Sequence, residues 1–196
     1  MTLRQKFLQF VYPIWMLLAK LIGKAKPVQT NTLNVEPIQS FYDLQALKNN
    51  KTLFPFSSLK NKKVLIVNTA SDCGYTNQYA ELEKLYQLHK DKLMVLGFPA
   101  NDFKEEEKGS DEEIAVFCKV NFGVSFPIMQ KSVVVRKNDR HEVYKWLTDP
   151  NKNGWNKQSP TWNFAKYLID EYGVLTHYFE PSVSPLSDEV KDPVGK

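Results

Sequence analysis

The apolar residues of this 196-residue chain fall into short continuous runs that alternate with stretches of helical spacing. Residues 64–67 are all aliphatic, which is typical of a strand buried on both faces of a sheet. Apolar side chains then recur at helix spacing from Tyr79 to Leu88, and residues 93–98 predict a second strand that Pro99 ends. This order predicts an α/β fold in which a central sheet carries helices on both of its faces.

The second half of the chain continues the alternation. Ser110 and Glu113 have the spacing of a capping box, which predicts the start of another helix. The remaining predicted elements are strands at 126–129 and 133–135, a late helix or strand–helix junction at 162–169, and a turn at 172–173.

A basic and apolar segment precedes these elements. Residues 7–22 are apolar except for Gln9, Pro13 and Lys20, and this run is shorter than the roughly 20 residues of a spanning helix. It begins like a secretory signal, but no small-residue cleavage site follows it. On a helix its polar residues share one narrow arc, as in helices that lie in a membrane interface (Gln5, Lys6, Gln9, Lys20 and Lys24).

We therefore predict a hydrophobic anchor or an uncleaved signal-like helix over residues 1–26, on a side of the membrane that the sequence does not reveal. The alternative is a helix packed on the domain itself. The polar segment 27–37, bounded by prolines, predicts a linker to a domain over residues 38–196.

Composition and charge exclude several classes of protein. A chain that is 42% hydrophobic and 13% aromatic is not disordered. Residues 1–35 contain five basic residues and no acid, so the net charge of +4 becomes −1 over the remaining 21 basic and 22 acidic residues, and no nucleic-acid surface is expected. Two cysteines do not form a disulfide scaffold, and the three histidines lack metal-ligand spacing (His89, His141 and His177). We expect neither a metal nor another cofactor.

Cys73 is the residue best placed for chemistry. It follows the strand at 64–67 and precedes a helix, where backbone N–H groups and the positive end of the helix dipole stabilise a thiolate. A thiolate here is a nucleophile, whereas the alternative is a buried structural cysteine. The small and polar neighbours Ser71, Asp72 and Gly74 favour an exposed thiol.

Residues 68–76, N-T-A-S-D-C-G-Y-T, resemble the segment N-V-A-S-x-(U or C)-G-x-T of glutathione peroxidases. The resemblance spans residues 40–190 and implies a thioredoxin-like fold, a monomer, and reduction of hydrogen peroxide and of organic or lipid hydroperoxides. In that scheme Cys73 attacks the O–O bond and becomes a sulfenic acid, which a reductant returns to the thiol. Other segments carry the resemblance in the family's order (96–101, 109–114, 121–124, 126–127 and 161–164).

Three further residues enter the predicted site through this resemblance. Trp162 and Asn163 match a Trp-Asn pair whose N–H groups would stabilise a thiolate and a developing oxyanion, although each is ordinary as a core tryptophan or a helix N-cap. Glu106 stands where the family has a catalytic glutamine. An ionised carboxylate only accepts hydrogen bonds and raises the pKa of a nearby thiol. Glu106 therefore either turns away from the thiol, or is protonated, or serves as a proton acceptor, or lowers the activity. The other interpretation is that Glu106 belongs to a solvated acidic loop.

Cys118 has two interpretations. On the apolar face of its helix it is ordinarily a small buried side chain. Residues 117–123, F-C-K-V-N-F-G, are similar to a segment whose cysteine resolves the sulfenic acid in family members that use thioredoxin. The helix would have to unwind locally, because disulfide geometry is strict. The resemblance favours thioredoxin as reductant without excluding glutathione; the alternatives are a redox sensor or relay using a Cys73–Cys118 disulfide, or a weakly active degenerate member.

Overall fold

The structure, a computed structural model, describes residues 26–195. The strands in this range are β1 (Val28–Thr30), β2 (Gln45–Leu47), β3 (Leu53–Pro55), β4 (Lys63–Thr69), β5 (Leu93–Pro99), β6 (Lys166–Ile169) and β7 (Leu175–Phe179). The helices are α1 (Gln78–His89), α2 (Asp111–Phe122), α3 (Glu142–Leu147), α4 (Pro150–Asn153) and α5 (Asp188–Gly195), with short 3-10 helices at Phe41–Asp43 and Phe56–Leu59.

A mixed five-stranded sheet in the order β1-β7-β6-β4-β5 forms the centre, and β2 and β3 form a separate hairpin. The aliphatic strand β4 is buried on both faces: Val64 and Ile66 belong to one apolar cluster, and Leu65 and Val67 belong to the other. Helix α3 packs on the first of these faces, and α1, α2 and α5 pack on the second. The predicted fold, a thioredoxin-like mixed sheet flanked by helices, is confirmed.

Strand directions bring three loops to one edge of the sheet. β4 runs parallel to β5, so that Thr69 pairs with Pro99 where both strands end. β6 runs antiparallel to β4, and Lys166 at its start pairs with Val67. The loops that follow β4 and β5 and the loop that precedes β6 therefore meet at this edge.

Helix α2 begins as the sequence predicts. The Ser110 hydroxyl accepts a hydrogen bond from the Glu113 N–H, and the Glu113 carboxylate accepts one from the Ser110 N–H, at 3.2 and 2.7 Å. The helix ends at Gly123, which adopts the left-handed conformation with φ +65°. Local sequence signals thus define both ends of the helix that carries Cys118.

Several predicted elements differ from the structure. Residues 28–30 of the predicted linker are strand β1, because their backbone pairs antiparallel with residues 177–179 of β7. Residues 126–129 make only isolated bridges, from Ile128 to Gly97 and from Met129 to Lys48. Residues 133–135 are not a strand, since the Val134 N–H donates to the Asp102 carboxylate at 2.7 Å instead of to a neighbouring strand.

The prediction of a late helix or strand–helix junction at 162–169 is wrong in its helical part, whereas its strand is present as β6. Residues 161–164 bend and turn before β6 begins at Lys166, and Phe164 has a left-handed φ of 68°. The turn predicted at 172–173 is present and joins β6 to β7, with Gly173 at φ +87°.

The predicted apolar helix of residues 1–26 lies outside the described range except for Lys26. Across residues 26–195, none of the helices combines the length and hydrophobicity needed to cross a bilayer.

Candidate active site

Cys73 lies in the turn that joins β4 to α1, and its side chain is buried, with 2% of its surface exposed. The expectation of an exposed thiol is therefore wrong: the loops before β6 and after β5 cover it. The Thr76 hydroxyl fixes the turn by accepting a hydrogen bond from the Cys73 N–H at 3.0 Å. The Tyr75 N–H points at the Cys73 sulfur at 3.5 Å. Since α1 begins only at Gln78, the backbone donor on the sulfur belongs to the turn.

Glu106 points inward and contacts Cys73. Glu106 is 6% exposed, and its carboxyl interacts with the Cys73 thiol. Lys104 and Glu105 both have left-handed backbones, with φ of 50° and 54°, and this reversal turns Glu106 inward while Glu105 stays exposed. The Asp72 N–H donates to the Glu106 carbonyl at 3.0 Å and ties the two loops together. A solvated acidic loop is therefore not what the structure shows at Glu106.

Asn163 reaches the site through Glu106. Its side-chain amide donates to the Glu106 carboxylate at 3.0 Å, and Asn163 is fully buried. The expected contact between this amide and the thiol is thus replaced by one to the carboxylate, because an ionised carboxylate is the stronger acceptor.

Trp162 completes the group. Its indole N–H interacts with both the Cys73 sulfur and the Glu106 carboxylate. Its ring packs against Phe103 at 5.5 Å between centroids, and the Lys104 ammonium lies 5.5 Å from its ring centre. The structure therefore brings Cys73, Glu106, Trp162 and Asn163 together, although they lie up to 90 positions apart in the chain.

Two residues that sequence reasoning missed hold the loop that carries Trp162 and Asn163. The buried Asn68 donates from its side chain to the Trp162 carbonyl at 3.0 Å, and its own carbonyl accepts the Phe164 N–H at 2.6 Å. The fully buried Lys166 ammonium donates to the carbonyls of Phe164, Pro181 and Val183 at 2.8, 3.3 and 2.7 Å. A lysine within an apolar strand pattern was the available signal, because an unpaired charge is costly to bury.

Electrostatics oppose a freely ionised thiol. Burial raises the pKa of Cys73 well above its ordinary value, the Glu106 carboxylate raises it further, and the Tyr75 and Trp162 N–H groups lower it. Burial also raises the pKa of Glu106, against the hydrogen bonds from Cys73, Asn163 and Trp162. The site therefore disfavours negative charge on both Cys73 and Glu106 at once and stabilises a single negative charge on one of them.

Cys118 lies within α2, is 1% exposed and is a free thiol, as is Cys73. Both thiols belong to the apolar cluster between the sheet and α1, α2 and α5. Burial raises the pKa of Cys118 to about 11, although the neighbouring Tyr79 hydroxyl acts in the opposite direction.

A cavity of about 520 Å³ opens beside this group, between the Glu106 loop and α2. Its wall includes the buried carboxyl of Glu107, which accepts a hydrogen bond from the Ser71 hydroxyl at 3.0 Å. Burial raises the pKa of Glu107 to about 7. The other lining residues are mostly charged (Asp72, Glu105, Glu106, Lys108 and Glu113), with Gly109, Ile114 and Phe117.

Comparison with known proteins agrees with this geometry. The family model described as glutathione peroxidase matches residues 41–148. "Glutathione peroxidase-like peroxiredoxin 2" of Saccharomyces cerevisiae is 42% identical over 160 residues, covering 80% of this chain and 98% of that protein. "Glutathione peroxidase-like peroxiredoxin GPX5" of Chlamydomonas reinhardtii is 45% identical over 148 residues, covering 75% and 90%.

Two solved structures extend the comparison. The crystal structure of GPX1 from T. cruzi superposes with a TM-score of 0.59 at 29% identity, covering 79% of this chain and 92% of that one. A DsbF homologue from Corynebacterium diphtheriae superposes with a TM-score of 0.61 at only 12% identity, covering 88% and 92%, and shares the fold alone.

Proposed function

The chain belongs to the glutathione peroxidase family of hydroperoxide-reducing enzymes, and we propose that Cys73 is its peroxide-reactive residue. The Cys73 thiolate attacks the terminal oxygen of the hydroperoxide, the O–O bond breaks, and a sulfenic acid and an alcohol result. The observation that carries this assignment is the convergence on the Cys73 sulfur of the Tyr75 N–H, the Trp162 indole and the Glu106 carboxylate.

Trp162 and Asn163 direct N–H groups at the negative charge that Cys73 and Glu106 carry. The Trp162 N–H, shared between sulfur and carboxylate, stabilises negative charge on either atom. Asn163 acts as a positioning residue, because its amide donates to the Glu106 carboxylate at 3.0 Å and so holds this carboxylate beside the thiol.

Cys118 is the resolving cysteine in this proposal. Its thiol condenses with the Cys73 sulfenic acid, which forms a disulfide and releases water. Two features of the reduced state must change first: the Tyr79 contact breaks, and the end of α2 unwinds from Gly123 towards Cys118. The Cys118 carbonyl accepts the N–H groups of Gly123 and Val124, which close the last turn of α2, and the end of a helix is the part that frays first.

A dithiol protein of the thioredoxin type is the proposed reductant, because an intramolecular disulfide is reduced by thiol–disulfide exchange. The presence of Cys118 and the relatives named peroxiredoxins support this choice. Proposed substrates are hydrogen peroxide and organic or lipid hydroperoxides, and their reduction would serve the response to oxidative stress.

Peroxide consumption tests the proposal when it is measured with thioredoxin and separately with glutathione, for the wild type, Cys73→Ser and Cys118→Ser. We expect thioredoxin-driven turnover that Cys73→Ser abolishes and Cys118→Ser reduces strongly. Wild-type turnover by Cys73→Ser would refute the assignment of Cys73. Undiminished turnover of Cys118→Ser with thioredoxin would refute the resolving role, and a single oxidation without turnover would indicate a redox relay.

Two sequence predictions on location and assembly also remain proposals. Residues 7–22 anchor the chain at a membrane surface, and the domain is a monomer. Flotation of the full chain with anionic vesicles, compared with a chain starting at Lys26, tests the first, and light scattering of the shortened chain tests the second. Equal flotation of both chains would contradict the anchor.

A further inference from the structure

We propose that Glu106 is the acid–base group of the peroxide-reducing step, taking the proton of the Cys73 thiol and delivering it to the departing alkoxide. This inference rests on the proposed reaction of Cys73. It differs from a role as passive hydrogen-bonding group, because a carboxylate can hold the transferred proton and an amide at the same position cannot.

The geometry of Glu106 suits proton transfer. Its carboxyl interacts with the Cys73 thiol, and Glu106 is only 6% exposed, so that bulk water does not compete for the proton. The Asn163 amide holds Oε2 at 3.0 Å, and the Asp72 N–H holds the backbone carbonyl at the same distance. Glu106 is thus fixed from both sides and needs no rearrangement in order to act.

Transfer of the proton within the pair leaves its net charge unchanged. Before transfer the single negative charge lies on Glu106, and after transfer it lies on the Cys73 sulfur. The Trp162 N–H interacts with both the sulfur and the carboxylate, and the Tyr75 N–H points at the sulfur. Loss of the thiol proton to solvent would instead place two negative charges in a buried site, which is the costly alternative.

The cycle balances in atoms and electrons. Glu106 takes the thiol proton, and the thiolate attacks the terminal oxygen of ROOH. As the O–O bond breaks, the sulfur loses two electrons and keeps the OH group as Cys73–SOH. The alkoxide RO⁻ takes the proton from Glu106 and leaves as ROH, which restores the carboxylate.

The titratable groups around Glu106 define the expected pH profile. Cys73 and Asp72 face it from the turn after β4, Glu105, Glu107 and Lys104 flank it on its own loop, and Lys108 and Glu113 line the adjoining cavity. The rate of Cys73 oxidation should rise as the pH increases through the titration of Glu106. It should then stay level through the range in which an ordinary thiol ionises, because Glu106 removes the proton at every higher pH.

The test compares Glu106→Gln with Glu105→Gln, each combined with Cys118→Ser so that only the first oxidation of Cys73 is followed. Glu105 is an exposed carboxylate of the same loop and controls for the loss of one charge. The glutamine at position 106 is nearly isosteric and can still accept the Asn163 hydrogen bond. Single-turnover oxidation rates are measured with cumene hydroperoxide, whose alkoxide requires a proton, and with peracetic acid, whose acetate does not.

We expect Glu106→Gln to slow oxidation by both oxidants, because the base that takes the thiol proton is lost. The loss should be larger with cumene hydroperoxide, about 100-fold at neutral pH, because its alkoxide also loses its proton donor. The rate of Glu106→Gln with cumene hydroperoxide should rise with pH where the wild-type rate is level. Glu106→Asp, which keeps a carboxyl, should recover part of the rate, and Glu105→Gln should match the parent with both oxidants.

Equal or faster oxidation by cumene hydroperoxide in Glu106→Gln would overturn the proposal, as would equal slowing with both oxidants. Such a result would leave the assignment of Cys73 intact, because that assignment depends separately on the loss of activity in Cys73→Ser.

Discussion

Replacing Glu107 by Gln should change how the free energy of unfolding depends on pH. The Glu107 carboxyl is 1% exposed and accepts a hydrogen bond from the Ser71 hydroxyl at 3.0 Å, while its backbone N–H donates to the Asn101 side chain at 2.9 Å. Burial removes water from the ionised form and raises the pKa of Glu107 from 4.5 to about 7. A glutamine fills nearly the same volume and has no proton to release.

The number of protons bound by the folded and the unfolded chain determines both the direction and the size of this change in unfolding free energy. Between pH 4.5 and pH 7 the folded chain retains the Glu107 proton that the unfolded chain has released, so stability falls as pH rises through this window and is level above it. At 1.36 kcal/mol for each pKa unit, the loss amounts to about 3 kcal/mol. The advantage of Glu107→Gln over the wild type should therefore increase by about 3 kcal/mol across the window.

Urea-induced unfolding measured at intervals from pH 4.5 to pH 8 provides the assay. The quantity to compare is the difference in unfolding free energy between variant and wild type, since other groups that titrate cancel in it. Glu105→Gln, which removes an exposed carboxylate two residues away, should give a nearly constant difference. Parallel curves for wild type and Glu107→Gln would show that the Glu107 carboxyl ionises normally in the fold and would refute the reasoning.

Four other substitutions test parts of the fold. Burial lowers the pKa of Lys166 from 10.5 to about 7, so between these pH values the unfolded chain binds a proton that the folded chain lacks. The free energy of unfolding of the wild type, measured with urea, should therefore rise with pH across this range. An equal rise in Lys166→Met would contradict this. Gly154→Ala should cost about 3 kcal/mol, because φ is +95° and the new Cβ would lie 2.5 Å from the Glu36 carbonyl oxygen. Gly123→Ala, at φ +65° in open space, should cost only about 1 kcal/mol, and equal losses of Tm would refute the steric argument. Ser110→Ala removes the capping box of α2 and should cost about 1 kcal/mol in thermal unfolding, whereas an unchanged Tm would show that the cap adds nothing.

Local patterns in the sequence determine the elements that depend on near neighbours. The aliphatic run of β4 requires burial on both faces, and the Ser110–Glu113 box and Gly123 define α2, because these signals act within one turn of helix or along one strand. The motif around Cys73 and the family resemblance likewise follow from contiguous residues, and the family match supports them. Local pattern leaves helix and strand unresolved over residues 162–169, because Asn68, almost 100 positions earlier, fixes the turn before the strand.

The tertiary structure alone decides the chemical surroundings of Cys73. Its burial, the inward turn of Glu106 after two left-handed residues, and the transfer of the Asn163 hydrogen bond from thiol to carboxylate all depend on loops that meet only when β4, β5 and β6 align. Likewise, the pairing of β1 with β7 and the burial of Lys166 among three carbonyls are contacts between distant parts of the chain. The sequence thus identifies Cys73 as the candidate nucleophile, while long-range packing determines the groups that surround its thiol, because pKa values depend on solvent exclusion and on neighbours that adjacency in the chain does not reveal.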